Sequence, residues 1–321
     1  MAASHRTALR IGISGWRYAP WRGRFYPPGL PQAQELAYAA HQFCTVEING
    51  TFYSLQHPSS FTAWRDATPG GFVFSVKGPR YITHTRRLRD VAEPLANFLA
   101  SGVLDLGAKL GPILWQFPPT MRWDRDGARF EPFFRLLPRD MRSAARLARR
   151  HGPQVKQVDI PHESANHPLR HAVEIRHDSF AAPEFIALLR AHNVALVTAD
   201  TAGKWPWLED ATADFAYVRL HGDEALYSSG YGDRAIAEWA RRLRAWADGR
   251  PGPHPRLAAP AGSGSGGGGG PKSRSGKAGR QAAKPRDIYC YFDNDIKVMA
   301  PRDARALMKT LRLPMAPEPP S

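Results

Sequence analysis

Eight short strand-like stretches, alternating with helical ones, constrain most strongly what this chain of 321 residues can fold into. The strand-like stretches are rich in β-branched and aromatic residues and occupy residues 10–14, 45–49, 72–77, 112–117, 172–176, 194–198, 216–221 and 288–292. Apolar residues at helical spacing mark residues 32–43, 59–67, 90–106, 127–137, 139–150, 183–192, 234–247 and 301–311. Because strands that alternate with helices pair in parallel, eight such units predict one α/β domain, a closed (β/α)8 barrel of the TIM type.

An open, doubly wound sheet is the alternative for a chain of this pattern. The first strand is followed by Gly15 and Trp16 and not by Gly-x-Gly-x-x-Gly. The chain therefore lacks the usual marker of a dinucleotide-binding fold. The sequence favours the barrel, and it leaves the identity of any cofactor open.

Composition limits where the chain works. It contains no run of about 18 apolar residues, so we predict no membrane span and no membrane partner. Its first ten residues lack the apolar centre of a signal peptide, and we expect a cytoplasmic protein. The two cysteines, Cys44 and Cys290, each lie in an apolar run. We predict two reduced thiols and no disulfide, because cytoplasmic thiols stay reduced.

The basic charge is concentrated in one segment. The formal net charge is +15, and residues 249–286 contain eight arginines and lysines and no acidic residue. This segment also contains the five consecutive glycines Gly266–Gly270. Such a composition cannot bury enough apolar surface to offset the entropy of ordering it. We predict a disordered insert, residues 249–286, within a domain that spans residues 9–313 between flexible ends, residues 1–8 and 314–321.

Polar side chains recur where the predicted strands end. In the second strand Glu47 and Asn49 lie on the face opposite Val46 and Ile48, because side chains alternate along a strand. The same period selects Glu47, Asn49, Lys77, Gln116, Glu174, Arg176, Asp200, Arg219, His221 and Asn294 as a ring of polar residues near the strand ends. The carboxyl ends of barrel strands are where active sites are built. The ring is therefore a candidate site.

This ring, together with Trp16 and His84 at the same end, predicts a site for a small anionic or polyhydroxylated ligand. We assign catalytic roles to Glu47, Lys77, Glu174 and His221. Ligand-binding roles go to Asn49, Gln116, Arg176, Asp200, Arg219, Asn294, Trp16 and His84. A buried lysine or histidine is the kind of group whose pKa moves into the working range. Either Glu47 or Glu174 would act as general base and His221 as acid or base. Whether the protein is an enzyme or only a binder stays open.

Other interpretations remain for the ring, for the insert and for the aromatic loop. The ring could be a buried ion-pair lattice that only stabilises the barrel. Glu47, Glu174, Asp200 and His221 could bind a metal, but the neighbouring cations would compete for the carboxylates, and we predict no metal. The insert and the arginine-rich residues 139–150 could instead form a non-catalytic nucleic-acid-binding module. The aromatic loop of residues 16–26 could stack on a ligand or serve as a hydrophobic lid.

Several motifs of the chain resemble those of the YecE-like family, also called domain-of-unknown-function family 72. They are Ile11–Trp16, Trp21, Phe25–Pro27, Val46–Asn49, Thr51–Tyr53, Phe74–Lys77, Thr83–His84, Gln116–Pro119, Glu174–His177, Tyr217–Gly222, Tyr291–Phe292 and Asn294–Asp295, in order from about residue 9 to 311. The resemblance implies a TIM-type barrel but brings no reaction with it. The chain departs from the family pattern at Gly50 (usually serine), Phe180 (usually tryptophan) and Asp293 (usually asparagine).

Overall fold

The eight predicted strands form a closed parallel barrel in chain order, which confirms the predicted fold class. The computed structural model describes residues 7–158, 160, 166–251 and 284–315. The strands are β1 Leu9–Ser14, β2 Thr45–Ile48, β3 Val73–Lys77, β4 Leu110–Gln116, β5 His171–Glu174, β6 Val194–Asp200, β7 Phe215–Leu220 and β8 Asp287–Phe292. The barrel closes where β1 pairs with β8, from Leu9 opposite Ile288 to Ile13 opposite Phe292.

Helices connect the strands and cover the outside of the barrel. They are α1 Glu35–Gln42, α2 Gly50–Tyr53, α3 Pro58–Asp66, α4 Ala92–Ala100, α5 Trp123–Asp126, α6 Phe130–Leu136, α7 Met141–Ala148, α8 Pro183–Ala191, α9 Asp233–Ala247 and α10 Met299–Thr310. Each of the eight predicted helical segments contains a helix. The short helices α2 and α5 were not predicted, and neither was the π-helix Tyr81–Thr85 that follows β3.

Two predicted boundaries differ from the structure for identifiable reasons. The helix predicted over residues 90–106 stops at Ala100, because Gly102 adopts a left-handed φ of 102° and starts the separate 3-10 segment Val103–Lys109. Strand β4 begins at Leu110, before Pro112, although the sequence suggested that the proline starts it. The register against β3 shifts there, as expected where a proline cannot donate to the ladder.

The barrel interior changes from apolar to charged along its axis. The inner cluster contains small side chains from β5 and β6 and aromatic ones from β7 and β8. Tyr217 and Tyr291 pack there with ring centroids 5.2 Å apart. The Tyr291 hydroxyl lies 2.7 Å from Thr45 Oγ1 and 2.6 Å from Ser75 Oγ. This layer of hydroxyl groups supports the charged layer at the strand ends.

Some sequence predictions fall outside the described residues, namely those for residues 1–6, 252–283 and 316–321. At the edges of the predicted insert, the Arg250 amide donates to Ala245 and the Arg286 amide to Ala247. Both cysteines are free thiols, as predicted, although Cys44 is only partly buried. Among the helices of the described part, none is long and apolar enough to cross a membrane.

Candidate functional site

Arg219 is the centre of a charged network at the carboxyl ends of the strands. Its side chain is 1% exposed. Nη2 donates to Glu47 Oε1 at 2.8 Å, and Nη1 donates to Glu174 Oε2 at 2.8 Å. Nη2 also donates to Asp293 Oδ2 at 3.0 Å. One guanidinium therefore links three carboxylates from β2, from β5 and from the segment after β8, which matches its planar fork of donors.

Glu47 is fully buried and has both carboxylate oxygens occupied. Oε1 accepts from Ser14 Oγ at 2.5 Å in addition to Arg219. Oε2 accepts from the Tyr217 hydroxyl at 2.5 Å and from Arg219 Nε at 3.2 Å. Asn49 extends this chain by donating from Nδ2 to Ser14 Oγ at 2.9 Å. A carboxylate with this many partners orients Arg219, and this geometry does not favour the predicted role of general base.

Glu174 is held in the same way. Its Oε1 accepts from Gln116 Nε2 and from Arg176 Nε, both at 2.9 Å. Burial raises the pKa of Glu174, but the positive charges of Arg176 and Arg219 outweigh it and hold the pKa well below 4.5. Glu174 is therefore an ionised hydrogen-bond acceptor at neutral pH. Such a group positions the arginines more readily than it removes a proton from a substrate.

The buried His221 pairs with Asp293, which is 13% exposed, beside Arg219. His221 Nδ1 lies 2.9 Å from Asp293 Oδ2, and His221 Nε2 lies 3.5 Å from Arg219 Nη1. Burial raises the pKa of Asp293, but Arg219 and His221 lower it far below its usual range. The His221 side chain is fully buried, so it reaches a ligand only through Asp293 or after a movement. Asp293 was not among the predicted site residues.

Lys77 is the cation of this site that the network does not use. The residue is 8% exposed, and its Nζ lies 4.2 Å from the centroid of the Phe52 ring. Within the described part of the chain it forms no ion pair and no hydrogen bond through Nζ. Burial and the charge of Arg219 lower the pKa of Lys77 to about 8, although Glu174, Glu47 and Asp293 oppose this shift.

Arg176 and His84 extend the site toward solvent. The Arg176 guanidinium stacks on Trp205, with Cζ 3.7 Å from the ring centroid. Only Nε of Arg176 has a partner among the described residues, so both terminal amino groups are unused. His84 lies on the π-helix, a feature frequent at functional sites. Burial and then the charges of Lys77 and Arg176 lower the pKa of His84 to about 4, so its ring is neutral at pH 7.

Tyr227 and Trp205 border the site, and sequence reasoning missed both. The Tyr227 ring meets His221 edge-on with centroids 5.3 Å apart. Tyr227 also has a left-handed φ of 62°, a conformation that costs energy in a residue with a side chain. Both aromatic residues lie in the segments that follow β6 and β7. Neither segment has a periodic pattern, so their side chains could not be assigned to the site beforehand.

Asp200 and Asn294 do not point into the barrel mouth, and their predicted place in the ring is wrong. Asp200 accepts from the Tyr231 hydroxyl at 3.1 Å, and burial raises the pKa of Asp200 to about 6. The inner residues of β6 are instead Ala195, Val197 and Ala199. Asn294 donates from Nδ2 to Asp303 Oδ2 on α10 at 2.8 Å. Asn294 therefore links the barrel to α10, and Asp200 links it to the segment before α9.

Trp16 also lies away from the charged network. It is buried and packs edge-on against Trp64 of α3, with centroids 5.4 Å apart. The remaining predicted residues do lie together in or around the network: Glu47, Asn49, Lys77, His84, Gln116, Glu174, Arg176, Arg219 and His221. In the part of the chain that the structure describes, no three His, Cys, Asp or Glu side chains are arranged to hold a metal ion.

These features define a parallel (β/α)8 barrel protein with a polar, arginine-centred site at the carboxyl ends of its strands. The chain belongs to the family described as protein of unknown function DUF72, whose sequence model matches residues 10–255. This confirms the family that the motifs suggested.

Named relatives and solved structures agree with this assignment. The chain is 32% identical to UPF0759 protein YecE of Escherichia coli K12 over 112 residues, and 32% identical to UPF0759 protein YunF of Bacillus subtilis over 117 residues. These matches span 35% of this chain and 38% or 40% of the relatives. A DUF72 family protein from Thermotoga maritima superposes with a TM-score of 0.69 at 23% identity, covering 95% of this chain and 99% of that one. A DUF72 family protein from Enterococcus faecalis superposes with a TM-score of 0.65 at 16% identity, covering 98% of this chain and 100% of that one. The two structures support the fold.

Proposed function

We propose that the protein binds a small anionic ligand at the mouth of the barrel, between Lys77 and Arg176. The observation that carries this proposal is the nearly buried Lys77, which is 8% exposed and whose ammonium has no anionic partner in the described part of the chain. A buried charge normally has one, since an unpaired charge is costly to bury. A ligand anion would supply the missing partner.

The distribution of used and unused groups favours an anion over a cation. The oxygens of Glu47 and Glu174 already accept from Arg219 and its neighbours. Lys77 keeps three ammonium donors and Arg176 keeps both terminal amino groups. A carboxylate or phosphate matches this donor set, because planar guanidinium and compact ammonium groups bind such oxygens strongly.

The roles proposed here differ in part from those predicted from the sequence. Arg219 was expected to hold the ligand, but its donors are already used by three carboxylates. Arg219 therefore supports the site from below. Trp205 and Tyr227 offer flat surfaces at the rim, which are suited to an aromatic or sugar ring. Neutral sugars are for that reason part of the test below.

A thermal-shift screen of the full chain tests the proposal. The probes are inorganic phosphate, small carboxylates, sugar phosphates and neutral sugars, applied to wild type, Lys77→Met and Arg176→Gln. We expect an anionic probe to raise the melting temperature of wild type and to lose most of that effect in both variants. Lys309→Met, which removes an exposed lysine on α10, is the matched control and should respond as wild type does.

Three outcomes would overturn the proposal. The first is that no anion stabilises wild type, and the second is that anions stabilise all four proteins equally. A response to neutral sugars alone would also contradict it, because that ligand class does not need Lys77. If an anionic probe raises the melting temperature of Lys77→Met as much as that of wild type, the effect of the probe is a nonspecific ionic one.

A second candidate function rests on a different surface. Arg142, Arg146, Arg149 and Arg150 follow one face of α7 and its last turn, are exposed, and form no side-chain ion pair with the described residues. The opposite face packs inward through Met141, Ala144 and Ala148. An unpaired row of arginines favours an anionic polymer. We propose nucleic acid binding through this row as the alternative, with the basic residues 249–286 contributing.

Salt dependence separates this alternative from the first proposal. Binding of a labelled DNA duplex should weaken steeply with salt: the logarithm of the binding constant should fall against the logarithm of the salt concentration with a slope of about 0.9 for each phosphate contacted. Replacing the four arginines by glutamine should reduce the slope, and so should deleting residues 252–283. Lys77→Met should leave it unchanged. Oligonucleotide binding that survives both changes would rule out this surface.

A further inference from the structure

We propose that Lys77 is a nucleophile and captures the carbonyl carbon of an anionic aldehyde or ketone as an imine. This inference rests on the proposed anion site and names the class of ligand that the site would take. Lys77 would attack the carbonyl, while Arg176 holds the anionic group of the same molecule. The inference depends on three observations on Lys77 and its surroundings.

The first observation is the absence of a competing partner. A basic side chain that stabilises a fold through an ion pair contacts a carboxylate, as Arg219 here contacts Glu47 at 2.8 Å. Lys77 Nζ has no such contact with any described residue, although Glu47, Glu174 and Asp293 are all close enough to influence it. Their oxygens are directed to Arg219 instead. The amine is therefore left free for a reaction.

The second observation is the environment of the amine. Nζ lies 4.2 Å above the Phe52 ring, and Lys77 keeps only 8% of its surface exposed. Arg219 adds a second positive charge nearby. The face of the Phe52 ring attracts the charged ammonium, but desolvation and the neighbouring cation favour the neutral amine, which is how nucleophilic lysines are activated. The resulting pKa of about 8 leaves an appreciable neutral fraction at neutral pH.

The third observation is the position of Lys77 in the fold. It is the last residue of β3, at the carboxyl end of the barrel, and β3 pairs with β2 and β4 along its length. Strand ends place a side chain more reproducibly than loops do. Arg176 and Lys77 both act on His84, so the two cations lie around one neutral histidine. An oxoacid suits this pairing, because it offers a carbonyl carbon to the amine and an anionic group to the guanidinium.

The proposed step conserves atoms and electrons without an added oxidant or reductant. The nitrogen lone pair of neutral Lys77 forms a bond to the carbonyl carbon, and the carbonyl π electrons move to oxygen, which takes up a proton. The nitrogen loses its protons to water at the open mouth, the protonated hydroxyl leaves as water, and a C=N bond forms. The product is an imine that water can hydrolyse back to the free amine.

Reductive trapping tests this step on the full chain. Wild type is incubated with glyoxylate, an anionic aldehyde, and sodium cyanoborohydride, and the labelled lysines are identified by peptide mapping. We expect Lys77 to be labelled at least about tenfold faster than the exposed Lys309, because the lowered pKa of Lys77 increases the fraction of its amine that is neutral and nucleophilic. Its labelling rate should level off above about pH 8. Lys77→Met, checked for its native circular dichroism, should lose only this one label.

Acetaldehyde and inorganic phosphate separate the two proposals. If both hold, glyoxylate labels Lys77 faster than the neutral acetaldehyde does, phosphate slows labelling, and Arg176→Gln removes the preference for glyoxylate. If phosphate stabilises wild type but Lys77 is labelled no faster than Lys309, the imine proposal is overturned and the anion site stands. If Lys77 reacts rapidly with both aldehydes and phosphate has no effect, the anion site is overturned.

Discussion

Arg219 and Glu47 meet at 2.8 Å inside the barrel although β7 and β2, which carry them, are not neighbours in the sheet. Their contact therefore crosses the interior and does not follow the barrel wall. Tyr217 and Ser14 complete the shell around Glu47. This cross-barrel pair fixes the depth of the charged layer and leaves Lys77 and Arg176 as the groups with unused donors above it.

Arg219→Met should destabilise the protein by about 3–5 kcal/mol at pH 7, because it leaves Glu47 and Glu174 as buried charges without their main partner. Urea unfolding followed by circular dichroism measures the change. Arg241→Met removes an exposed arginine of α9 and should change stability by no more than about 0.5 kcal/mol. Arg219→Lys should recover part of the loss. Equal effects of Arg219→Met and Arg241→Met would show that the cross-barrel pair contributes little.

The low pKa of Glu174 predicts a specific acid sensitivity. Since its folded-state pKa lies well below the ordinary 4.5, the ionised form stabilises the fold above pH 4.5, and this stabilisation is lost as the pH falls. Wild type should have a larger free energy of unfolding than Glu174→Gln at pH 7. In urea unfolding at a series of pH values, this difference should decrease between about pH 5 and pH 3. Glu184→Gln, at an exposed position on α8, should show a gap that does not vary with pH.

Lys77 should reduce the stability of the protein at neutral pH. Its pKa falls from 10.5 to about 8 on folding, so the folded state disfavours the charged amine. Lys77→Met should raise stability at pH 7 by about 1 kcal/mol, as is common when a functional polar group is removed. Between pH 8 and 10.5 Lys77 loses its proton in the folded protein but keeps it in the unfolded chain. Wild type therefore gains stability over this range, and the difference in stability between wild type and Lys77→Met decreases. A Lys77→Met variant that is less stable at every pH would show a structural role instead.

Asp293 is expected to tune the affinity for an anion. It stands where the family resemblance suggests asparagine, and its negative charge lies beside Arg219 and raises the pKa of Lys77. Asp293→Asn removes that charge and keeps an oxygen that can accept from Arg219. Phosphate should then bind about threefold more tightly, as expected for loss of a nearby repulsive charge in a polar site. Asp233→Asn, an exposed position at the start of α9, should leave the affinity unchanged. Weaker binding to Asp293→Asn would contradict this role.

The fold was readable from the sequence because each strand is short, apolar and followed by a helical segment. The ring was readable only where one face of a strand is polar. In β2, β3 and β5 the alternation was clear, and Glu47, Lys77 and Glu174 all lie in the predicted place. In β6 the same rule selected the wrong face.

Packing decides the orientation of β6. Val197 is in register with Tyr217, and Ala199 with Arg219. The large side chains of β7 fill the interior, so their neighbours on β6 must be small, and Asp200 is left on the outer face. In β8 both faces are apolar or aromatic, and there the two-residue period selected Asn294, although Tyr289 and Tyr291, which share the parity of Asp293, face the interior. Such choices depend on the neighbouring strands, which a single strand does not reveal.

The order of the charges along the chain has a consequence for folding. Glu47 and Glu174 are synthesised before Arg219, and each belongs to a strand that precedes β7. A fragment that ends before β7 therefore contains both interior carboxylates without their shared guanidinium. We expect such fragments to stay open, since closing them would bury unpaired negative charge. Barrel closure and charge neutralisation would then be a single cooperative event, and this ordering would protect the nascent chain against premature collapse.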